Sequence, residues 1–323
     1  MTRGPRLALL SALTLALFAL SLMAGKQWIP LNVWEGHDPR WAIIAELRVP
    51  RAVLGAILGA ALGLSGAVLQ GYLRNPLADP TVIGVSSCAA LGAVASIVLG
   101  AGGAGFGQFG WAMAGAGGAM ALLAMLTARA QSPVVFVLAG TVLASLAGAL
   151  TAFLISLAPN PYAIAEAIDW LMGALTDRGV SDVMLAGPLM GLGMLLLLFT
   201  GRDLDALALG EDAARSLGAN LGQLRVLVVA GTGLAVGAGV AVTGVVGFVG
   251  LVVPHLLRPV FGSRPSALLL PSALGGAALT LGADSLCRLA PGAGEVRLGV
   301  VMALIGAPFF LALLVREGAR QWR

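Results

Sequence analysis

Arginine is the residue type whose positions in this chain most clearly predict binding chemistry. Arg48 and Arg51 bracket Pro50 in the segment R-V-P-R, and Arg288 and Arg297 lie near the ends of two later apolar segments. A guanidinium group can bind a carboxylate through two parallel hydrogen bonds. The four arginines could therefore form an electrostatic socket for an acidic partner or an anionic solute. The alternative is that they extend their charged groups to lipid headgroups.

Asp284 is an acidic residue inside an apolar segment, GGAALTLGADSLCRLA, and Arg288 follows it four residues later. Residues at this spacing share one face of a helix, so we predict an internal ion pair between them. A proton relay through Asp284 is the alternative, although a lone acidic residue is weak support for a relay.

Motifs for nucleotide binding, metal binding and hydrolytic catalysis are absent from the sequence. Its one lysine, Lys26, lies in A-G-K-Q and does not complete the P-loop pattern G-x-x-x-x-G-K-[ST]. There is no C-x-x-C pair and no Cys/His cluster, so we predict no metal site. Neither H-E-x-x-H nor G-x-S-x-G occurs. If ATP drives this protein, another polypeptide binds the ATP.

The elements that position these residues must lie in a membrane. Of the 323 residues, 59% are hydrophobic and 11% are charged, whereas soluble proteins carry about 25% charged residues. The mean hydropathy is +0.96. A single soluble core cannot enclose so much apolar surface. The composition therefore excludes a cytosolic enzyme, a disulfide-rich secreted module and a disordered chain, and it predicts a polytopic membrane protein.

A membrane-spanning helix needs roughly 20 apolar residues, and the chain contains ten such segments. We take the first as a retained span rather than a cleaved signal peptide. Residues 225–260 could form one bent helix, two spans, or a span and a re-entrant piece. We predict an all-α polytopic fold of about ten transmembrane helices in one domain, 1–323. The segments are 7–24, 52–72, 81–100, 108–127, 134–157, 183–200, 225–243, 245–260, 267–289 and 298–315.

The distribution of charge predicts the orientation. With ten spans and a cytoplasmic N-terminus, most of the 19 basic residues fall on the cytoplasmic side, as the positive-inside rule requires. Both termini are then cytoplasmic, and the four arginines above lie on the outer side. The similar segments 59–68 and 237–246 would lie on spans of opposite direction, which suits an inverted repeat. Chance similarity among small residues is the alternative.

The largest cytoplasmic insertion is 201–225, GRDLDALALGEDAARSLGANLGQLR. Its spaced leucines and alanines predict one or two short amphipathic helices, broken near Gly210 and Gly218. Asp203 or Asp205 could cap the first helix, while acidic residues favour the start of the second. A short helix with a small apolar face could dock into a groove of a cytoplasmic partner. The alternative is an ordinary solvated loop.

Four ordered stretches of the sequence resemble the FecCD-type permeases. These proteins are the membrane subunits of type II ABC importers for iron-siderophores, haem and vitamin B12. The resemblance runs from about residue 7 to 316. The stretches are LRVPRAVLGAILGAALGLSGAVLQGYLRNPLADPTVIGVSSCAALGA (47–93), LGEDAARSLGANLGQLR (209–225), TGVVGFVGLVVPHLLR (243–258), and LGVVMALIGAPFFLALL (298–314) after LGAD (281–284).

The resemblance implies a BtuC-like ABC importer permease fold that pairs with a second copy of itself in the bacterial inner membrane. Two cytoplasmic ATPase subunits would bind ATP and Mg, this chain would bind no cofactor, and a periplasmic substrate-binding protein would deliver the solute. Arg48, Arg51 and Arg288 would meet acidic residues of that binding protein. Arg297 departs from the apolar or proline residue expected there, so it could add to the socket or be incidental.

The resemblance also assigns the coupling helices, which seat on the ATPase subunits, to about 203–221. Their contact residues would be Leu207, Leu209, Glu211, Asp212, Ala213, Ala214, Arg215, Leu217 and Gly218. A bulky solute needs a wide path lined by small and apolar residues. The candidate lining positions are Ser65, Ser86, Ser87 and Thr243.

We therefore predict a transport subunit and not an enzyme. Its function would be to translocate an iron complex, haem or a ferric siderophore, by alternating access powered by the partner ATPase. One alternative is a vitamin B12 (cobalamin) importer permease. Two others are a proton-coupled secondary transporter and a membrane enzyme or structural scaffold.

Overall fold

The computed structural model describes residues 3–30, 40–101, 103–127, 133–291 and 294–321, and the principal elements in those ranges are helices. A π-helical turn, Ile43–Arg48, leads into the helix Val49–Tyr72, and a 3-10 turn, Pro80–Ile83, leads into the helix Val85–Leu99. The helices are α1 (Arg3–Met23), α2 (Val49–Tyr72), α3 (Val85–Leu99), α4 (Gln108–Thr127), α5 (Pro133–Ser156), α6 (Pro161–Leu171), α7 (Val180–Leu198), α8 (Gly201–Leu207), α9 (Glu211–Ser216), α10 (Leu221–Thr243), α11 (Val249–Phe261), α12 (Pro265–Leu289) and α13 (Leu298–Gln321).

Each of the ten predicted apolar segments coincides with one helix, which confirms the all-α polytopic architecture. Within the described ranges, seven helices are long and apolar enough to cross a membrane, and α3, α11 and the apolar part of α13 are shorter. In their most apolar windows α2 and α10 bury 78% of their residues, whereas α1 buries 11%. Helices α2 and α10 therefore form the centre of the bundle, and α1 lies at its edge.

The central packing is the antiparallel pair α2 and α12, and small residues make it possible. A Cβ atom at Gly59 would collide with the backbone carbonyl of Gly276, and one at Gly63 would collide with that of Ser272. A Cβ atom at Gly55 would meet side chains rather than backbone, Leu175 at 2.9 Å and Leu281 of α12 at 3.9 Å. Close backbone contact of this kind holds helices together in lipid, where no hydrophobic force favours their association.

These two helices connect opposite ends of the molecule. We call the end that holds Arg51 and Arg288 the arginine end. At the other end, which we call the α8–α9 end, Gly71 of α2 faces Leu204 of α8, and α12 begins beside α8 at Ser266. Helices of this length put the two ends about 36 Å apart.

Residues 225–260 form two helices joined by an unwound link, 244–248. The link begins at Gly244, with φ of 72°, and ends at Phe248, with φ of 67°. The 13 residues of α11 span only about 20 Å, less than the roughly 30 Å of a bilayer core. Because α11 is too short to span the bilayer core, the link would lie at membrane depth. Non-helical backbone there is stable only where protein or a water-filled cavity surrounds it, so the link is the candidate region for a solute path.

Candidate functional site

A buried ion cluster lies at the arginine end. Arg51 donates from Nε and Nη2 to the carboxylate of Asp284 at 2.7–3.1 Å, and its Nη2 is also 2.8 Å from Oε2 of Glu295. Arg51 is 9% exposed and Asp284 is 1% exposed. Removing charges from water is costly, and only close pairing with hydrogen bonds offsets that cost. The two-pronged contact of Arg51 meets this condition.

Arg288 completes the cluster from the last turn of α12. Its Nη2 is 3.0 Å from Oδ2 of Asp284, which confirms the predicted internal ion pair. Arg288 also donates to the carbonyls of Ser21 and Ala24 at the C-terminal end of α1. The last carbonyls of a helix have no partner within that helix, and they carry partial negative charge. A cation therefore stabilises the end of α1.

Arg48 contributes to the same helix end. It donates to the carbonyls of Leu22, Met23 and Gln27 at 2.6–3.0 Å. The charge cluster thus contains three arginines and two acidic side chains. The partial negative charge of the carbonyls at the end of α1 offsets the excess positive charge. No local sequence pattern indicated that the end of α1 is the partner of these arginines.

Glu295 is the most accessible acidic member of the cluster, and it lies in the loop between α12 and α13. Burial alone would raise its pKa, but the hydrogen bond and charge of Arg51, together with the hydroxyl of Thr176, hold the pKa below its ordinary value. Thr176 is a member that sequence reasoning missed, because nothing in the chain pairs positions 176 and 295.

The four predicted docking arginines therefore differ in placement. Arg48, Arg51 and Arg288 are at most 9% exposed and donate to internal partners. Arg297 lies outside the cluster and forms an ion pair with Asp169 of α6. Docking of a binding protein on these residues stays a prediction.

A cavity of about 550 Å³ opens beside the unwound link. The link contributes Val245, Gly247 and Phe248, and most other walls are apolar. Polar groups come from Asp79 and Thr81. Phe248 packs over Gly306 of α13, since a Cβ atom there would overlap the phenyl ring.

The loop that carries the polar groups of this cavity is held by one glutamine. Gln70 of α2 donates from Nε2 to the carbonyl of Ala78 at 3.3 Å and to that of Gly250 at 3.1 Å. Arg258 donates to Oε1 of Gln70 at 2.6 Å. A single side chain thus joins α2, the loop and α11. Nothing in the sequence around Gln70 predicts this role.

The predicted lining residues lie elsewhere. Ser65, Ser86 and Thr243 are at most 2% exposed, within the helix packing, and Ser87 is partly buried. None of the four belongs to the walls of the 550 Å³ cavity. Their role in a solute path stays a prediction.

The insertion at the α8–α9 end has the predicted form. Gly210 and Gly218, with φ of 106° and 81°, separate α8, α9 and α10. Leu207 and Ala214 are buried against the bundle. Leu209 and Leu217 are 69% and 60% exposed, beside an open groove of about 670 Å³.

The other predicted contact residues of this insertion lie on α9 and at its end. Ala213 is partly buried, and Gly218 is exposed. The acidic residues at the start of α9 pair with Arg215, a contact of the predicted stabilising kind. The paired residues are Glu211 and Asp212, at 3.2 and 3.0 Å from Arg215.

The prediction that Asp203 or Asp205 caps the first short helix is wrong. The position before α8 is Thr200, and no side chain caps the helix there. Asp205 instead accepts hydrogen bonds from the backbone N–H and the hydroxyl of Ser266, in the first turn of α12. The error arose because capping rules consider only neighbours in sequence, whereas the nearest free N–H belongs to another helix.

Comparison with known proteins agrees with this geometry. The model of the FecCD transport family matches residues 13–316. The cobalamin import system permease protein BtuC of Halobacterium salinarum is 42% identical over 280 residues, which is 84% of this chain and 73% of that protein. The Fe(3+) dicitrate transport system permease protein FecD of Escherichia coli is 38% identical over 322 residues, 96% of this chain and 99% of that protein.

A solved structure gives the same result. It is an inward-facing conformation of an ABC transporter provisionally assigned to the metal-chelate type. The TM-score is 0.88 at 31% identity, and the match covers 97% of this chain and 99% of that chain. The chain therefore belongs to the FecCD transport family, as the permease of a type II ABC importer whose ATPase activity resides in a separate subunit.

Proposed function

We propose that this permease imports a bulky metal chelate, with an iron complex such as haem or a ferric siderophore as its solute. The observation that carries the proposal is the unwound link beside the 550 Å³ cavity, within a chain similar to permeases named for ferric dicitrate and for cobalamin. Iron and cobalt chelates share a large size and a largely covered metal. Cobalamin is the second candidate, because the relative named for it is 42% identical.

The test is reconstitution of the chain with its ATPase subunit and its binding protein in proteoliposomes. Uptake of haem, ferric dicitrate and cyanocobalamin would be compared with ATP inside and with ATP omitted. ATP-dependent uptake of an iron complex alone supports the proposal. Uptake of cyanocobalamin alone would support the second candidate, and uptake driven by a pH gradient without ATP would contradict both.

We propose that α8 and α9 are the coupling helices and that ATP and Mg bind on the partner ATPase. The exposed Leu209 and Leu217 support this assignment, since two large apolar side chains project beside a groove. The absence of a P-loop from the sequence agrees with it. Closure of the ATPase dimer would then move α8 and α9 and change which side the solute path faces.

We further propose a homodimer in the inner membrane, with both termini cytoplasmic and the α8–α9 end toward the cytoplasm. The solute path would run between the two copies, along the cavity bounded by Phe248 and α13. The arginine end would then face the periplasm. Acidic residues of the binding protein would approach the arginines of this end, of which Arg297 has a side chain that is 29% exposed. Because this docking is electrostatic, its affinity should fall as ionic strength rises.

A further inference from the structure

Asp205 joins the short helix α8 to the long helix α12. Its Oδ1 accepts the backbone N–H of Ser266 at 2.9 Å, and its Oδ2 accepts the hydroxyl of Ser266 and Nε of Arg264, each at 2.6 Å. Pro265, the first residue of α12, has no N–H. Ser266 therefore offers the first free donor of the helix, and a carboxylate at that position is favoured by the helix dipole.

The contact is charged under ordinary conditions. Burial alone would raise the pKa of Asp205, but the hydrogen bonds of Ser266 and the charge of Arg264 hold the pKa below its ordinary value. Leu204 and Leu207 of the same helix are buried against the bundle, but apolar contacts are non-directional and allow sliding. The hydrogen bonds of Asp205 add directional contacts to the packing of Gly201 of α8 against Ser266.

Two further contacts hold the rest of α12 against α2. Gly59 and Gly63 of α2 meet its backbone directly, so no layer of flexible side chains separates the two helices. At the far end of α12, Asp284 binds Arg51 of α2 through two oxygens. The pair α2 and α12 is therefore clamped at its middle and at the arginine end.

We propose that Asp205 is a positioning residue that fastens α8 to α12, so that movement of α8 is passed along α12 to the charge cluster at the arginine end. This inference rests on the proposed function of α8 and α9 as coupling helices. In this role Asp205 acts through Ser266, and its effect on transport is indirect.

The chain provides a matched control two residues away. Asp203 is the same residue type on the same helix, but its side chain makes no hydrogen bond or ion pair with any residue that the structure describes. Asp203→Asn and Asp205→Asn remove the same charge from α8. Only the second weakens the bond to α12.

The first experiment uses the full chain with its ATPase subunit in nanodiscs, and it needs no solute. Hydrogen–deuterium exchange is measured with and without ATP plus vanadate. In the wild type and in D203N, we expect the nucleotide to change exchange in α8, in the first turn of α12 and around Asp284. In D205N, we expect the change to stop at α8. A change that reaches α12 undiminished in D205N would overturn the proposal.

The second experiment measures solute uptake per ATP hydrolysed in proteoliposomes that contain the binding protein, with ferric dicitrate and cyanocobalamin as probes. We expect D205N to lower this ratio about fivefold or more below that of D203N, the usual lower range of coupling between sites, because both variants lose one charge from α8 but only D205N loses the bonds to α12. Asp205→Glu keeps the charge and should recover part of the ratio. Equal ratios in D205N and wild type, or equal losses in D205N and D203N, would overturn the proposal.

Co-purification separates this inference from the proposed function. If the wild type fails to retain an ATPase subunit, the coupling assignment itself is wrong. If D205N alone loses the ATPase, Asp205 contacts that subunit directly and the positioning role is refuted. If D205N does not insert, Arg264→Gln replaces it, since that side chain is 74% exposed. R264Q should lower the ratio about twofold, because one charged bond of three is lost, and no loss would refute the proposal.

Discussion

The two ends of this permease use charge in opposite ways. At the arginine end, Arg51, Asp284 and Arg288 are buried and bound to one another and to the end of α1. At the α8–α9 end, Arg215 and Asp212 are exposed and lie beside apolar side chains that no part of the described chain covers. Buried charges must be satisfied within the molecule, so they hold it together. Exposed charges beside exposed leucines remain available to bind a partner.

The largest expected effect comes from breaking the buried cluster. Asp284→Ala leaves Arg288 with no carboxylate partner and Arg51 with Glu295 alone, and breaking a buried ion pair costs about 3–5 kcal/mol. Thermal unfolding in detergent should show a large loss of stability. Asp212→Ala is the control at the other end and should leave the unfolding temperature unchanged. Equal stability of the two variants would remove the contrast between the ends.

A smaller effect is expected in the centre, where α2 and α12 join the two ends. Gly59→Ala forces a Cβ atom into the backbone of Gly276, and such overpacking costs about 1–3 kcal/mol. Gly117→Ala adds the same atom where nothing beyond the adjacent backbone of its own helix lies within 4 Å. Unfolding measurements should therefore separate the two variants. If they unfold alike, the backbone contact is not close enough to act as a clamp.

The α8–α9 end should respond in binding rather than in stability. Leu209→Asp combined with Leu217→Asp removes the exposed apolar face. We expect the affinity of this double variant for the ATPase subunit to fall at least about tenfold, the effect of losing a single contact worth about 1.4 kcal/mol. Titration of the ATPase against the reconstituted permease measures this. The unfolding temperature should not change, because neither side chain is buried. A strong loss of stability would show that these leucines support the fold.

The smallest expected effect concerns pH at the arginine end. The pKa of Glu295 is lower in the folded protein than its ordinary value. Its contribution to stability is therefore complete above the unfolded pKa and is lost as pH falls through the folded pKa. Thermal unfolding should show that the free energy of unfolding of the wild type exceeds that of Glu295→Gln by about 1 kcal/mol at neutral pH. The two free energies should converge in acid. A difference that grows in acid would contradict this sign.

Several features of the molecule were predictable from local sequence. The ten apolar segments, the breaks at Gly210 and Gly218 and the pairing of Asp284 with Arg288 all follow from neighbours in the chain. Hydropathy, glycine at positive φ and the four-residue period of a helix act over short distances, so a linear pattern records them.

The partners of the charged residues were decided by tertiary structure alone. Arg51 and Asp284 are 233 positions apart, and Asp205 binds Ser266 rather than its own helix. A guanidinium or carboxylate group accepts many partners, and the sequence predicts only that a buried one must find some partner. Which partner it finds depends on how closely the helices pack. The glycines of α2 set that distance, and they bring residues from distant parts of the chain into contact.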